Sequence, residues 1–262
     1  MKNDNFQELL QKAEAGDVES QLGLGLKYRL GIGVEADVST AEKWFRKAAL
    51  QGSVQGMYLL GILKAEIQNY LEAAEWLYEA AEQGHKEAQF YLAILYDDGK
   101  GVRQDHASAA KWYRKAAEQG VVEAQVNLGC QYEDGLGVDE DLEEACKWYS
   151  KAAEQGFAPA QYNLGLMYSR GEGVEQSDTK AEKLFRQSAS QGHVEAQYHL
   201  GLLCLAGSGV KQDIEQAWFW FLNAAKSGHE EAIEYRDEVA LQLSQEQKDK
   251  IIRKANEWIE ES

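Results

Sequence analysis

Apolar and small residues recur along the chain with the period of a helix, and turn residues separate the helical stretches. After Gly192, the residues Ala196, Leu200 and Gly201 fall on one helical face, with small residues where a second helix could approach closely. This pattern predicts a helix, called helix A in every copy. The string Gly-x-Gly-Val then predicts a turn. Its copies begin at Gly31, Gly99, Gly135, Gly171 and Gly207.

A second helix, helix B, is predicted after each turn. Its N-cap stands three residues after the valine, where a side-chain oxygen can accept hydrogen bonds from the first free amides of a helix. The caps are Asp37, Asp105, Asp141, Ser177 and Asp213. Helix B then carries a large residue seven positions after its cap, namely Trp44, Trp112, Trp148 and Trp220, with Leu184 as the exception. Rings of this size dock against alanine-lined partner helices.

Each helix B closes at a glycine that suits the left-handed conformation ending a helix. These glycines are Gly16, Gly52, Gly84, Gly120, Gly156, Gly192 and Gly228. Their spacing is 36 residues except for one step of 32, which indicates stacked copies of one supersecondary unit. The expected organisation is one repeat domain over residues 1–262. It comprises an N-terminal cap helix (1–16), six helix pairs (17–228) and C-terminal capping helices (229–262). The last of these helices is expected to begin with a capping box at Ser244 and to pack through one face that carries Ile251, Ile252, Ala255, Trp258 and Ile259.

The second repeat is shorter, because Gly61 and its helix-B cap Asn69 are too close to enclose a Gly-x-Gly-Val turn. Its hairpin is expected to turn more tightly. A neutral loop deletion explains this, since turns tolerate changes of length, but a change of superhelical twist or a binding feature are open alternatives.

The segments AQYNLGLMYSRGEGV (160–174) and WYRKAAEQG (112–120) resemble the Sel-1-like repeat family, relatives of the tetratricopeptide repeat. The resemblance covers most of the chain. It implies an all-α, right-handed α/α superhelical solenoid whose A helices line a concave surface that holds partner proteins or peptides. Members act as adaptors in signalling and protein quality control. In bacteria they act as host-interaction factors, as regulators near secretion systems, or as immunity proteins against secreted toxins.

One branch of that family is secreted, rich in disulfides and catalogued in places as β-lactamase. It places cysteine pairs where this chain has Ala81 with Gln89, Ala117 with Gln125, and Ala153 with Gln161. The chain therefore departs from that branch. Its three cysteines, an odd number without a Cys-x-x-Cys string, are expected to be buried free thiols.

The formal net charge of −17 disfavours nucleic acid and anionic membrane surfaces as partners. It favours a basic protein or peptide, although an acidic surface can also serve solubility alone. No apolar run approaches the ~18 residues that span a bilayer, and residues 1–16 lack the apolar core of a signal peptide. A cytoplasmic location without membrane insertion is therefore expected.

No catalytic residues are expected. Ser108 with Lys111, and Ser177 with Lys180, match the Ser-x-x-Lys string of penicillin-recognising serine hydrolases. Both lie at the start of a helix B, where serine caps the helix, and no Lys-Thr-Gly accompanies them. A β-lactamase-like hydrolase is only a remote alternative.

No metal or cofactor is expected either. No two of the five histidines have the spacing of a helical metal site, and the acidic turns lack the alternating oxygens of a calcium loop. The Gly-x-Gly strings lack the third glycine and the lysine of phosphate-binding loops.

The expected partner surface is a stripe on helix A at positions +3, +7, +11 and +14, counted from the preceding closing glycine. Positions +4, +8 and +12 are assigned to the core. The candidate groove residues are Leu59, Leu63, Tyr91, Leu95, Asp98, Glu123, Asn127, Gln131, Asp134, Asn163, Met167, Arg170 and His199. The leucines and Tyr91 would form an apolar anchoring pocket, while Asn127 and Asn163 would bind an extended peptide backbone.

The basic residues concentrate on the B helices, so the groove is expected to be acidic and its ligand basic. The sequence thus predicts a non-enzymatic adaptor that binds a protein or peptide partner, in a bacterial protein because the repeats are compact and regular. The alternative is an immunity protein that neutralises a basic secreted toxin.

Overall fold

The computed structural model describes residues 2–261, with side chains from 6 to 258, and this part contains fifteen α-helices and no strand. The A helices are α2 (Val18–Leu30), α4 (Val54–Glu66), α6 (Lys86–Asp98), α8 (Val122–Asp134), α10 (Ala158–Arg170) and α12 (Val194–Ala206). The B helices are α3 (Val38–Leu50), α5 (Tyr70–Glu82), α7 (His106–Glu118), α9 (Leu142–Glu154), α11 (Asp178–Ala189) and α13 (Ile214–Lys226). The remaining helices are α1 (Lys2–Glu14), α14 (Glu230–Ala240) and α15 (Gln245–Glu261). The predicted all-α fold of six helix pairs with additional terminal helices is confirmed.

The helices form two compact units. Unit 1 runs to Ala124 and includes Leu136–Val138. Unit 2 comprises Gln125–Gly135 and the chain from Asp139 onward. The single domain over 1–262 stays a prediction, and residues 1 and 262 lie outside the described part.

Local sequence determines where the B helices begin. The cap residue after each Gly-x-Gly-Val turn is extended, and its side chain accepts a hydrogen bond from an amide in the first turn, as Asp141 does from Glu144 at 2.9 Å. The same arrangement occurs at Asp37, Asp105, Ser177 and Asp213. In the short repeat, Asn69 also accepts such a bond, but its backbone is not extended. The predicted caps are therefore confirmed.

Within a hairpin, the glycine at the eighth residue of helix A lets an aromatic ring of helix B approach closely. A Cβ atom added to Gly129 would lie 2.6 Å from the ring of Tyr149, which is buried. Equivalent contacts pair Gly25 with Phe45, Gly165 with Phe185, and Gly201 with Phe221. The predicted close approach of the two helices at small residues is confirmed.

Between hairpins, the second glycine of the Gly-x-Gly-Val turn packs on the first residue of the preceding helix B. Gly101 has φ +71°, and a Cβ atom there would overlap the carbonyl group of Tyr70. Gly137, Gly173 and Gly209 repeat this contact with His106, Leu142 and Asp178. Gly33 has a similar φ of +75° but no atom near its would-be Cβ. The turn therefore links successive repeats as well as reversing the chain.

Buried glutamines of the A helices bond both to the preceding repeat and to helix B of their own hairpin. In unit 1, the side-chain amide of Gln89 donates to the carbonyl oxygen of Ala81 at 3.0 Å, and its own oxygen accepts from Gln119 at 2.7 Å. In unit 2, Gln155 donates to Gln125 and Gln191 donates to Gln161, both at 2.8 Å. Gln89 with Ala81, and Gln161 with Ala153, occupy positions that carry cysteine pairs in the disulfide-rich branch. Hydrogen bonds replace a covalent link there.

The glutamine series ends at the last repeat. Gln197 donates to the carbonyl of Ala189 at 3.3 Å, but its buried Oε1 atom has no partner among the described residues. Ser227 stands where the other repeats have the donating glutamine, and its side chain is shorter.

The second repeat turns from α4 to α5 through Ile67, Gln68 and Asn69 only, which confirms the tighter hairpin. Gln68 adopts a positive φ of 61°, unusual for a residue other than glycine. The buried Lys64 ammonium group pairs at 2.8 Å with both Glu42 of α3 and Glu72 of α5. Arg46 also pairs with both carboxylates, so four charges join three helices.

The terminal helix α15 opens with the predicted capping box. The amide of Gln247 donates to Ser244 Oγ at 3.3 Å, and the amide of Ser244 donates back to Gln247 Oε1 at 2.8 Å. Ile251 is buried as expected, but Ile252 is exposed, which corrects its assignment to the packed face. The side chain of Ile259, expected on the same face, lies outside the described residues.

Candidate binding surface on the A helices

The structure divides the thirteen sequence-predicted groove residues into accessible and buried ones. In unit 1, Tyr91 is 40% exposed, and Asp98 and Glu123 are also exposed. Leu59, Leu63 and Leu95 are buried, with exposed fractions of 8%, 1% and 5%. These three leucines are part of the packed core and do not form an open anchoring pocket, so that assignment is corrected.

In unit 2, Gln131 and Met167 are likewise buried, at 4% and 1% exposure. Asn127, Asn163 and His199 are half-buried, and Asp134 and Arg170 are exposed. We use the name A-helix surface for the accessible members in unit 2. They are Asn127, Asp134, Asn163, Arg170 and His199.

Helix geometry explains why position +11 is buried. Successive residues advance by about 100° around a helix, so position +11 lies about 20° from the core position +4. Leu63, Leu95, Gln131 and Met167 all occupy this position and are all buried. Positions +7 and +14 lie farther from the core centre and hold most of the accessible residues. One edge of the expected stripe, at position +11, therefore belongs to the core.

Asn127 and Asn163 occupy equivalent positions on α8 and α10. Both are half-buried, and neither side-chain amide has a hydrogen-bond partner among the described residues. An amide has one acceptor oxygen and two donor hydrogens, which can together bind both groups of a peptide unit. Unit 2 therefore presents two repeated amides with unused hydrogen-bonding capacity.

Histidines cap the A helices α6 and α12 and the terminal helix α14, which the sequence reasoning missed. The ring Nδ1 atoms of His85, His193 and His229 each accept an amide hydrogen bond at 3.3 Å. Each ring also stacks on a tyrosine of the preceding helix A, namely Tyr58, Tyr162 and Tyr198. Burial lowers the pKa of His85 and of His193, which favours the neutral ring that this capping bond requires. The signal in the sequence was histidine directly after a closing glycine.

His199 of the A-helix surface belongs to an aromatic cluster in unit 2. Its ring stacks on Phe185 with a centroid distance of 5.4 Å and also contacts Tyr162 and Tyr198. Burial, then the positive charge of Arg170, lowers the pKa of His199. The side chain thus contributes apolar ring area rather than charge at neutral pH.

Acidic side chains on the A helices and lysines on the B helices make different contacts. Glu123 and Asp134 are exposed on the A helices and take part in no ion pair within the described part. Several helix-B lysines instead cover a tryptophan of their own helix, as Lys115 does over Trp112 with the Nζ atom 3.8 Å from the ring centroid. The repeated Trp-x-x-Lys spacing was the overlooked signal for this contact.

The two Ser-x-x-Lys strings have structural roles at helix starts. Ser108 Oγ donates to the Asp105 carboxylate at 2.6 Å, while Ser177 caps α11 by accepting from the amide of Lys180. The Lys180 ammonium group lies over the ring of Tyr168 at 4.7 Å. Neither string therefore brings its lysine Nζ atom to its serine hydroxyl.

The three cysteines are expected from the sequence to be buried free thiols. Cys146 and Cys204 are buried and Cys130 is half-buried, and all three are free thiols. Burial raises the pKa of Cys146 and of Cys204 to about 11. Within residues 6–258, no three His, Cys, Asp or Glu side chains are grouped as metal ligands. Among the described helices, none has the length and apolar character needed to cross a membrane.

Comparison with known proteins supplies the family. The Sel1 repeat model matches six consecutive segments, residues 18–53, 54–85, 86–121, 122–157, 158–193 and 194–229. Sel1 repeat proteins generally mediate protein–protein interactions and are typically non-enzymatic scaffolds.

Solved structures show the same fold. One is c5321, a protective antigen of uropathogenic Escherichia coli, which is 37% identical with a TM-score of 0.88 over 96% of this chain and 56% of the other. A Sel1 repeat protein from Oxalobacter formigenes is 31% identical with a TM-score of 0.61, covering 90% and 80% of the two chains.

Among curated proteins, a component of an ERAD-associated E3 ubiquitin-protein ligase from Arabidopsis thaliana, HRD3B, is 32% identical over 105 residues. That alignment covers 40% of this chain and 17% of the relative, so the chain matches a small part of the plant protein. The six consecutive matches cover most of the sequence, and the chain belongs to the Sel1 repeat family.

Proposed function

We propose that this protein is a non-enzymatic scaffold that binds a protein or peptide partner through the A-helix surface. The observation that carries the proposal is the pair of half-buried, unpartnered amides at Asn127 and Asn163 in unit 2. Neither amide is buried away from water, so a peptide group of a ligand can replace the water that these amides bind in the free protein. A peptide backbone offers both a donor and an acceptor in every unit.

Charge indicates the kind of ligand. Asp134, on the same surface of unit 2 as the amides, is an unpaired acid, and the whole chain carries a formal net charge of −17. A basic segment would be attracted to such a surface, and the attraction would weaken with added salt. We therefore propose a basic protein or peptide as the partner.

The test is affinity capture from the native cell with three versions of the chain. The double variant Asn127→Ala/Asn163→Ala removes both amides, and Gln187→Ala removes an exposed amide on a B helix as a matched control. We expect a partner that binds the wild type and Gln187→Ala but is lost from the double variant. Equal retention by all three versions would overturn the proposed site.

The identity of the captured protein also tests the alternative. A secreted toxin whose activity is blocked by this chain would establish the immunity role in place of a general adaptor. The remote hydrolase alternative would require turnover of a nitrocefin-type substrate that disappears in Ser108→Ala or Ser177→Ala.

A further inference from the structure

Three repeats share a contact between a tryptophan and the lysine three residues later in helix B. The Nζ atoms of Lys47, Lys115 and Lys151 lie 4.2, 3.8 and 3.7 Å from the ring centroids of Trp44, Trp112 and Trp148. Each of these tryptophans is buried. An ammonium group over an indole face is stabilised by the ring quadrupole, and the lysine also shields the ring from water.

The second repeat breaks this pattern on α5. Its tryptophan is Trp76, and the residue three positions later is Glu79 instead of lysine. Trp76 is half-buried, whereas the tryptophans with a covering lysine are buried. Arg46 of the preceding helix B lies 5.9 Å from the Trp76 ring centroid, but its charge is offset by its ion pairs with Glu42 and Glu72.

A cavity of about 570 Å³ opens beside this ring, entirely within unit 1. Its apolar wall includes Leu71, Trp76, Tyr78 and Val102. The walls also include Glu75 and Glu79, both exposed and neither engaged in an ion pair within the described part of the chain. Because Arg46 and Lys64 balance Glu42 and Glu72, Glu75 and Glu79 leave two uncompensated negative charges at the cavity.

We propose that this cavity, the Trp76 pocket, binds a lysine side chain of a partner protein whose neighbouring residues are apolar. The incoming ammonium group takes the position over the indole that lysine fills in the first, third and fourth repeats. Glu75 and Glu79 supply the opposite charge, and Leu71 and Val102 contact the apolar neighbours. The pocket shares no residue with the A-helix surface, so the inference extends beyond the proposed function.

The test uses the full chain and the probe peptide acetyl-Leu-Lys-Leu-Lys-Leu-amide. The indole N–H signal of Trp76, identified by its loss in Trp76→Phe, is followed by NMR during titration. We expect a saturable shift of this signal. The same peptide with both lysines acetylated keeps its length and apolar residues but loses its charge, and we expect its affinity to be at least tenfold lower.

Glu79→Lys is the decisive variant. It places a lysine three residues after Trp76, as in the first, third and fourth repeats. We expect it to fold and to bind the probe at least tenfold more weakly. Glu118→Lys, at an exposed position of α7, changes the net charge by the same amount and should bind within twofold of the wild type.

Three results would overturn the proposal: equal weakening in both charge variants, equal binding of the acetylated peptide, or an unmoved Trp76 signal. The Asn127→Ala/Asn163→Ala variant should retain probe binding, so the two proposed sites can fail independently.

Discussion

The second and third repeats, both in unit 1, contact the preceding helix B in different ways. The third repeat reverses its chain with a Gly-x-Gly-Val turn, and Gly101 of that turn packs on the first residue of α5. The second repeat has no such turn, and the first residue of α3, Val38, is 43% exposed. One helical turn further on, the charge cluster around Lys64 joins α3, α4 and α5 instead. The comparison shows that the turn is itself an inter-repeat contact.

Substitution of the turn glycine should give the largest effect. Gly101→Ala introduces both a left-handed alanine and an overlap with the Tyr70 carbonyl, so we expect a loss of at least ~3 kcal/mol. Gly33→Ala shares the left-handed backbone but meets open space, and its expected cost is about 1 kcal/mol. Urea unfolding of both variants measures the difference. Similar losses would show that backbone conformation alone requires the glycine.

Removal of Lys64 should have the next largest effect, because it leaves two partly buried carboxylates with Arg46 alone. We expect Lys64→Ala to cost about 2–3 kcal/mol and Lys43→Ala, at an exposed position of α3, less than about 0.5 kcal/mol. Thermal and urea unfolding provide the comparison. A loss for Lys64→Ala no larger than for the control would mean that the cluster does not support this repeat.

The same cluster predicts a response to acid. The hydrogen bond from Lys64, opposed by burial and reinforced by Arg46, lowers the pKa of Glu72 from 4.5 to about 2. Glu72 therefore stabilises the fold fully above pH 4.5, and this contribution is lost as the pH falls from 4.5 towards 2. Unfolding free energies measured across this interval should fall less steeply in Lys64→Ala than in the wild type.

The glutamine links offer a smaller contrast. Gln119→Ala leaves the buried Gln89 oxygen without its donor, and we expect a loss of about 1–2 kcal/mol. Gln83, the equivalent residue of the second repeat, donates to the carbonyl of Glu79 in its own helix, and across the hairpin it meets the sulfur of Met57 at 3.3 Å in place of a glutamine oxygen. Because a thioether is a weak acceptor, Gln83→Ala should cost less than about 0.5 kcal/mol. Equal costs in equilibrium unfolding would argue that these glutamines act through packing rather than hydrogen bonding.

The smallest expected effect is a gain. Gln68 holds a left-handed backbone conformation in the short turn, which glycine adopts without steric cost. Gln68→Gly should raise the unfolding free energy by about 0.5–1 kcal/mol, after the greater flexibility of glycine in the unfolded chain is counted. Gln68→Val is the opposite control and should lower the melting temperature. A decrease for Gln68→Gly would show that the glutamine side chain stabilises the turn.

The sequence predicts features that depend on near neighbours along the chain or that recur in each repeat. The caps at Asp37 and Asp141 and the glycine at 129 follow from nearest neighbours along one hairpin. The burial of Leu95 and Met167 depends on how each helix is rotated about its own axis relative to its neighbours. The spacing of apolar residues in a single sequence determines that rotation only to within tens of degrees. The Lys64 cluster brings together three helices of two repeats, so no residue spacing in the sequence predicts it.

The unmatched oxygen of Gln197 has a consequence for cooperativity. In a repeat stack, the stability of each unit and its contacts with neighbouring units together determine which unit opens first. Gln125 and Gln161 each receive a hydrogen bond from helix B of their own hairpin, but Ser227 supplies none to Gln197. The hairpin of α12 and α13 therefore lacks a hydrogen bond that the two hairpins before it have, and opening of unit 2 should begin between these two helices while the earlier hairpins remain folded.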